Sequence, residues 1–144
     1  MRLKTDSFVV ESNVHFPTDY NLLWDCLRKC LDTTQWFLEK YQSIAGWRKI
    51  DDWRSSLKGL MREFGKISAS GGKHKEERMK KSAEKFLEKT RLFLIKLQND
   101  LSQFPYSDTK DLVHHLSLED FMQLAEKHID LIERRVLRGR SHTS

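Results

Sequence analysis

Apolar residues return at every third or fourth position through four long stretches of this chain, and little interrupts them. The longest stripe is Met79, Ala83, Phe86, Thr90, Phe93, Leu97, Leu101 and Phe104. Steps of four and three carry such side chains onto one side of an α-helix, whereas a strand would send them to both faces. Its near-heptad rhythm calls for an antiparallel partner of the coiled-coil kind. Only two prolines and six glycines punctuate the 144 residues, too few turn formers for a loop-rich all-β fold.

Three more stripes accompany it. Leu23, Cys26 or Leu27, Cys30, Thr34, Phe37 and Tyr41 predict a helix over residues 19–44, ended or bent at Gly46. Ile50, Trp53, Leu57, Leu60, Phe64 and Ile67 predict a second over 47–67, closed by the break Ser68-Ala69-Ser70-Gly71-Gly72. The long stripe predicts a third over 73–104, stopped by Pro105. Leu118, Phe121, Ala125, Ile129, Ile132 and Val136 belong to a fourth region. It begins near Ser107 and runs to Gly139, with a break expected near His115-Leu116-Ser117. There Ser117 and Asp120 resemble a capping box. Helices with one apolar stripe each bury it against one another, and short breaks make sequence neighbours antiparallel. The expected fold is mainly α, an antiparallel helical bundle or long helical hairpins.

The start reads differently. Residues 3–11, with Phe8-Val9-Val10 at their centre, have the β-branched and aromatic character of one short strand. Pro17 fixes the entry to the first helix, and Thr18 or Asp19 caps it. Three regions are therefore expected: a strand and loop at 1–18, the helical region at 19–139, and a disordered tail at 140–144.

Charge is concentrated. Residues 66–96 hold ten Lys and Arg against four Glu, an excess larger than the +5 of the whole chain. Such a segment is either a solvated helix face or a surface for polyanions. No aromatic residue interleaves with the charges on its polar face, which argues against stacking on single-stranded bases. No apolar run reaches the roughly 20 residues that span a bilayer, and the opening residues lack a signal-peptide core, so a cytoplasmic protein is expected.

Chemical motifs are sparse. Cys26 and Cys30 lie one helical turn apart, but a zinc site needs four ligands and no second pair has suitable spacing, so half-buried or core thiols are expected. Trp24, Trp36, Trp47 and Trp53 fall on or beside the stripes and read as core. No phosphate-binding loop, nucleophile elbow or zinc-protease helix is present, and no small-molecule substrate is expected. Asp6 is a carboxylate in an otherwise apolar strand, costly to bury unless paired or holding a cation.

At Asp6 a family pattern enters. Asp6-Ser7-Phe8-Val9-Val10-Glu11-Ser12-Asn13-Val14-His15-Phe16-Pro17-Thr18-Asp19, followed by Leu22-Leu23-Trp24-Asp25, resembles the start of the catalytic domain of bacterial insertion-sequence transposases of the DDE type. Ile129-Asp130-Leu131-Ile132-Glu133-Arg134-Arg135-Val136-Leu137-Arg138-Gly139 resembles the far end of the long helical insertion in that ribonuclease H-like domain. The resemblance implies DNA as partner, Mg²⁺ as cofactor and Asp6 as the first catalytic, metal-holding carboxylate. It implies two further acidic residues that lie beyond the helical insertion, and the chain departs from the pattern after Gly139. The expectation is a truncated transposase fragment, nucleoid-associated and inactive alone, with His15, Glu11 and Asp19 in the opening motif but without an assigned role. Lys73, Lys75, Arg78, Lys80, Lys81, Lys85 and Lys89 are the expected phosphate contacts, and a second copy of the chain is a candidate partner. The competing expectation is a non-enzymatic helical protein–protein interaction module.

Overall fold

The computed structural model describes the backbone of residues 8–135 and the side chains of residues 19–135. Four helices follow one another: α1 (Phe8–Lys40), α2 (Ile50–Ala69), α3 (Lys75–Asp100) and α4 (Thr109–Glu133). A 3₁₀ turn, Leu101–Gln103, extends α3. No strand occurs among the described residues. The protein is mainly helical, as the stripes require.

Local chemistry sets most of the helix ends. Asp51 and Asp52 sit in the first turn of α2 and Lys66 in its last, each complementing the helix dipole. Ser70 closes α2 by donating its backbone N–H and its hydroxyl to the Ile67 carbonyl, at 3.1 and 2.8 Å. The turn into α3 bends through Gly72 at φ 104° and His74 at φ 60°, a left-handed conformation that glycine adopts freely. Phe104 is extended, as a residue before proline must be, and this ends the 3₁₀ turn.

The helices pack as an antiparallel bundle. α1 lies mainly against α4, α2 against α3, and α1 also meets α2. The end of α1 meets the start of α4, where Lys40 reaches Asp108. Near the other end, Asp19 of α1 meets Arg135 beyond α4. Across α1 and α2, Tyr20 stacks on Phe64 with ring centroids 3.8 Å apart, and Arg54 reaches Asp32. Trp47, just before α2, packs edge-on to Phe93 in the second half of α3.

The four stripes converge on one core. Leu23, Leu27, Cys30 and Phe37 come from α1, and Leu57 and Phe64 from α2. Phe86, Phe93 and Leu97 come from α3, and Leu118, Ala125 and Ile132 from α4. Trp47 is buried, while Trp24, Trp36 and Trp53 are partly buried against this core. Cys26 and Cys30 are buried free thiols. Burial raises both of their pKa values; Asp25 adds to the effect at Cys26, and Cys26 adds to it at Cys30.

Three features depart from the sequence reading. α1 starts at Phe8, so Phe8-Val9-Val10 is helical. β propensity is a weak preference that helical context overrides. Residues 1–7, including Asp6 and the start of the expected strand, lie outside the described residues. Pro17 falls inside α1 and does not precede it. It offers no N–H to the carbonyl four residues back, a local loss that a 33-residue helix absorbs. Finally, α4 is continuous through His115-Leu116-Ser117. Its cap is Asp108, whose side chain accepts the Asp111 N–H at 2.9 Å, nine residues before the box expected at Ser117.

Phe86 is fully buried and its ring lies 5.8 Å from that of Tyr20. Replacement by alanine is expected to lower the unfolding free energy by about 3–5 kcal/mol. Urea titration followed by circular dichroism checks this, with the slope of the transition unchanged.

Candidate nucleic-acid interface

The basic residues of the third stretch lie on α3 and the turn before it. At about 100° per residue, Arg78, Lys81, Lys85 and Lys89 share one face of α3, with Lys75 at its margin. Glu77, Glu84 and Glu88 run along one side of that row. Lys80 points about 145° from the middle of that row, across the acidic edge. The seven expected phosphate contacts therefore form one row with outliers at Lys73 and Lys80.

Some of the row is already engaged. Arg78 donates to the Gly71 carbonyl at 3.1 Å, bracing the α2–α3 turn. Lys89 lies over the Trp53 ring, 4.6 Å from its centroid. Further along the same side, Lys96 sits 4.6 Å from the Trp47 ring centroid and pairs with Asp100. These stacked cations hold α3 to α2 and to the segment just before it through the ring quadrupoles. Lys73, Lys81 and Lys85 are exposed. Lys81 and Lys85 make a short cationic strip on α3, with Lys73 in the turn before it.

The most developed polar cluster was not anticipated from the sequence. It joins the end of α1 to the start of α4. The Asp111 carboxylate is fully buried and accepts from Lys40 Nζ at 2.8 Å, Tyr41 Oη at 2.5 Å and the Ser107 backbone N–H at 2.8 Å. Lys40 Nζ also donates to Asp108 at 2.7 Å. Burial alone would raise the Asp111 pKa. The hydrogen bonds from Lys40, Tyr41 and Ser107 outweigh that and hold it well below the usual carboxylate range. Lys40 is raised by the same partnership, chiefly its bond to Asp108.

Aromatic rings close around the junction. Trp36 stacks on His114 at 3.7 Å and Tyr106 on His115 at 3.8 Å. His115 Nε2 donates to the Phe104 carbonyl at 2.7 Å. A carboxylate this acidic and this fully hydrogen-bonded is a poor proton acceptor at neutral pH, so the cluster serves to lock two helix ends. The sequence signal was the N-cap spelling Asp108-Thr109-Lys110-Asp111 after Pro105, a stronger helix start than Ser117.

At the opposite end of the same helix pair, Asp19 is buried and paired with Arg135 at 2.5 Å. Asp19 thus closes the α1–α4 seam. Arg91 and Glu133 pair at 2.7 Å between α3 and α4. The side chains of Asp6, Glu11 and His15 lie outside those described.

The described residues do not supply a Mg²⁺ site. No group of three or more His, Cys, Asp or Glu among them converges to hold a metal ion. The two buried carboxylates, Asp19 and Asp111, are each matched by a cationic side chain of the same chain. Nor is any helix among the described residues long and apolar enough to cross a membrane. The fold and surface thus define a helical bundle with a cationic strip on one helix. Compared with known protein families, with curated proteins and with solved structures, the chain matches none.

Because the folded pKa of Asp111 is depressed, its contribution to stability is complete above the unfolded value of about 3.9 and fades as pH falls below it. Asp111→Asn is expected to lower the melting temperature at pH 7 by several degrees. It should also flatten the loss of stability between pH 5 and pH 3. Thermal melts of both proteins across that range test this, and parallel profiles would contradict it.

Proposed function

We propose that this chain is a segment of an insertion-sequence DDE transposase whose helical region grips DNA backbone phosphates and which neither cuts nor joins DNA by itself. The observation that carries the reading is the opening run from Asp6 to Asp19, continued by Leu22-Leu23-Trp24-Asp25. The helices after Asp19 support it, since a long helical insertion is what the resemblance calls for, although α1 begins inside the opening run, at Phe8, where the resemblance calls for a strand. Further support comes from the strip of exposed Lys73, Lys81 and Lys85 beside Arg78.

In this reading Asp6 is the first of three carboxylates that together hold the Mg²⁺ ions activating a water or hydroxyl and stabilising the leaving oxygen. One carboxylate does not fix two hard cations, and no other acidic residue of the chain is assigned to the set. The role left to the bundle is electrostatic. It neutralises phosphates without choosing a sequence and places the chain with the nucleoid in the cytoplasm.

A second reading is favoured by a different observation. α4 carries exposed apolar residues on the side away from the core, including Val113 and Leu116, which suits a helical interaction module.

Binding to duplex DNA is expected to weaken steeply and log-linearly with salt, whatever the sequence. Replacing Lys81 and Lys85 together by Glu should reduce that slope by about two while circular dichroism stays unchanged. Fluorescence anisotropy at several salt concentrations reads both effects. Absence of binding at low salt would favour the interaction module. Mg²⁺-dependent nicking that disappears in Asp6→Ala would overturn the claim that the chain is inactive alone.

A further inference from the structure

α4 is apolar on two sides. Its inner side buries Leu118, Met122, Ala125, Ile129 and Ile132 in the core. Its outer side leaves Leu112, Val113, Leu116, Leu124 and Leu131 exposed, with 54% of Leu116 and 41% of Leu124 open to solvent. A surface helix ordinarily presents polar residues on that side, and one apolar on both sides has a second partner to pack against.

The outer stripe has an order of its own. Leu116, Asp120, Leu124, Lys127 and Leu131 fall within a sector of about 80° on the helix. All five are exposed, and neither Asp120 nor Lys127 forms a salt bridge among the described residues. Their spacing mirrors about a point beside Leu124. Reversing the helix puts Leu131 where Leu116 was, Lys127 where Asp120 was, and leaves Leu124 at the centre. Leu116 and Leu131 exchange under that reversal and the charges exchange sign, whereas Leu112 and Val113 at the start of the outer side fall on Arg135 and Arg134 and lie outside the repeat.

The geometry points to a second copy of this chain as the occupant of the outer face of α4, docked antiparallel about a two-fold axis beside Leu124. Two copies so arranged bring Leu124 against its counterpart at the axis. Asp120 of each faces Lys127 of the other on either side, and Leu116 faces Leu131 beyond. A two-fold interface requires such self-complementarity, because each patch must fit itself. The stripe spans about 22 Å of helix, enough for a short two-helix seam and a reversible dimer. The inference stands apart from the DNA reading, since it uses none of the residues of the cationic strip.

Charge reversal tests it. The full chain, freed of nucleic acid by nuclease treatment, is followed by sedimentation equilibrium up to millimolar concentration. Wild type is expected to form a dimer. Asp120→Lys and Lys127→Asp should each raise the dimer dissociation constant roughly tenfold, because both symmetry-related pairs become like-charged. Mixing the two variants should restore association as a heterodimer, since every facing pair is then opposite in sign. Leu124→Glu, at the axis, should give monomer. These positions are solvent-exposed, and unchanged circular dichroism confirms that the fold is intact. A monomeric wild type, single reversals that associate like wild type, or a mixture that fails to recover would each overturn the proposal.

Discussion

The seam between α1 and α4 organises this protein. The two helices are far apart in sequence, so bringing them together closes a long loop, and that entropy is offset only when their stripes are buried. Leu23, Leu27, Phe37, Leu118, Ala125 and Ile132 supply the burial. Polar locks fix the register at each end. Asp111 gathers Lys40, Tyr41 and the Ser107 N–H at one end, and Asp19 takes Arg135 at the other. Burying a carboxylate is tolerable at both sites because each is met by a cation, and at Asp111 by the Tyr41 hydroxyl and the Ser107 N–H as well. Removing Lys40 would strand the buried Asp111 charge.

The same logic sorts the cations of α3. A positive segment invites a polyanion, yet its charges are not equivalent. Lys89 and Lys96 lie against tryptophan rings at the α2 seam, and Arg78 braces a turn carbonyl. Their side chains stabilise the α2–α3 hairpin while their charge still contributes to the field around it. Among the described residues Lys73, Lys81 and Lys85 have no such partner and are exposed. Glu77, Glu84 and Glu88 run along one edge of the row, with Lys80 beyond them.

Legibility in the sequence followed the physics of each signal. The helical stripes were readable because core burial repeats every 3.6 residues, and Phe86, Phe93, Leu97 and Phe104 all sit where their spacing put them. The helix starts were less readable. Pro17 and the β-branched Val9 and Val10 pointed to a break and a strand, and α1 runs through all three. Ser117 looked like a cap, but a cap needs a chain end to satisfy, and the free N–H groups are at Asp108. Asp111 gave no sign of burial, since a carboxylate is buried only if distant donors such as Lys40 and Tyr41 arrive.

The amino-acid order by itself determined that the chain is helical, where its apolar stripes lie, and that its positive charge gathers around the third helix. Those properties are local: each depends on residues within a turn or two of one another. Only the tertiary structure decided which stripes pair, which lysines are spent on tryptophan, which aspartates become helix locks, and which face of α4 is left over. Those outcomes depend on groups tens of residues apart meeting at hydrogen-bond distance, and no spacing rule along a single helix contains that information.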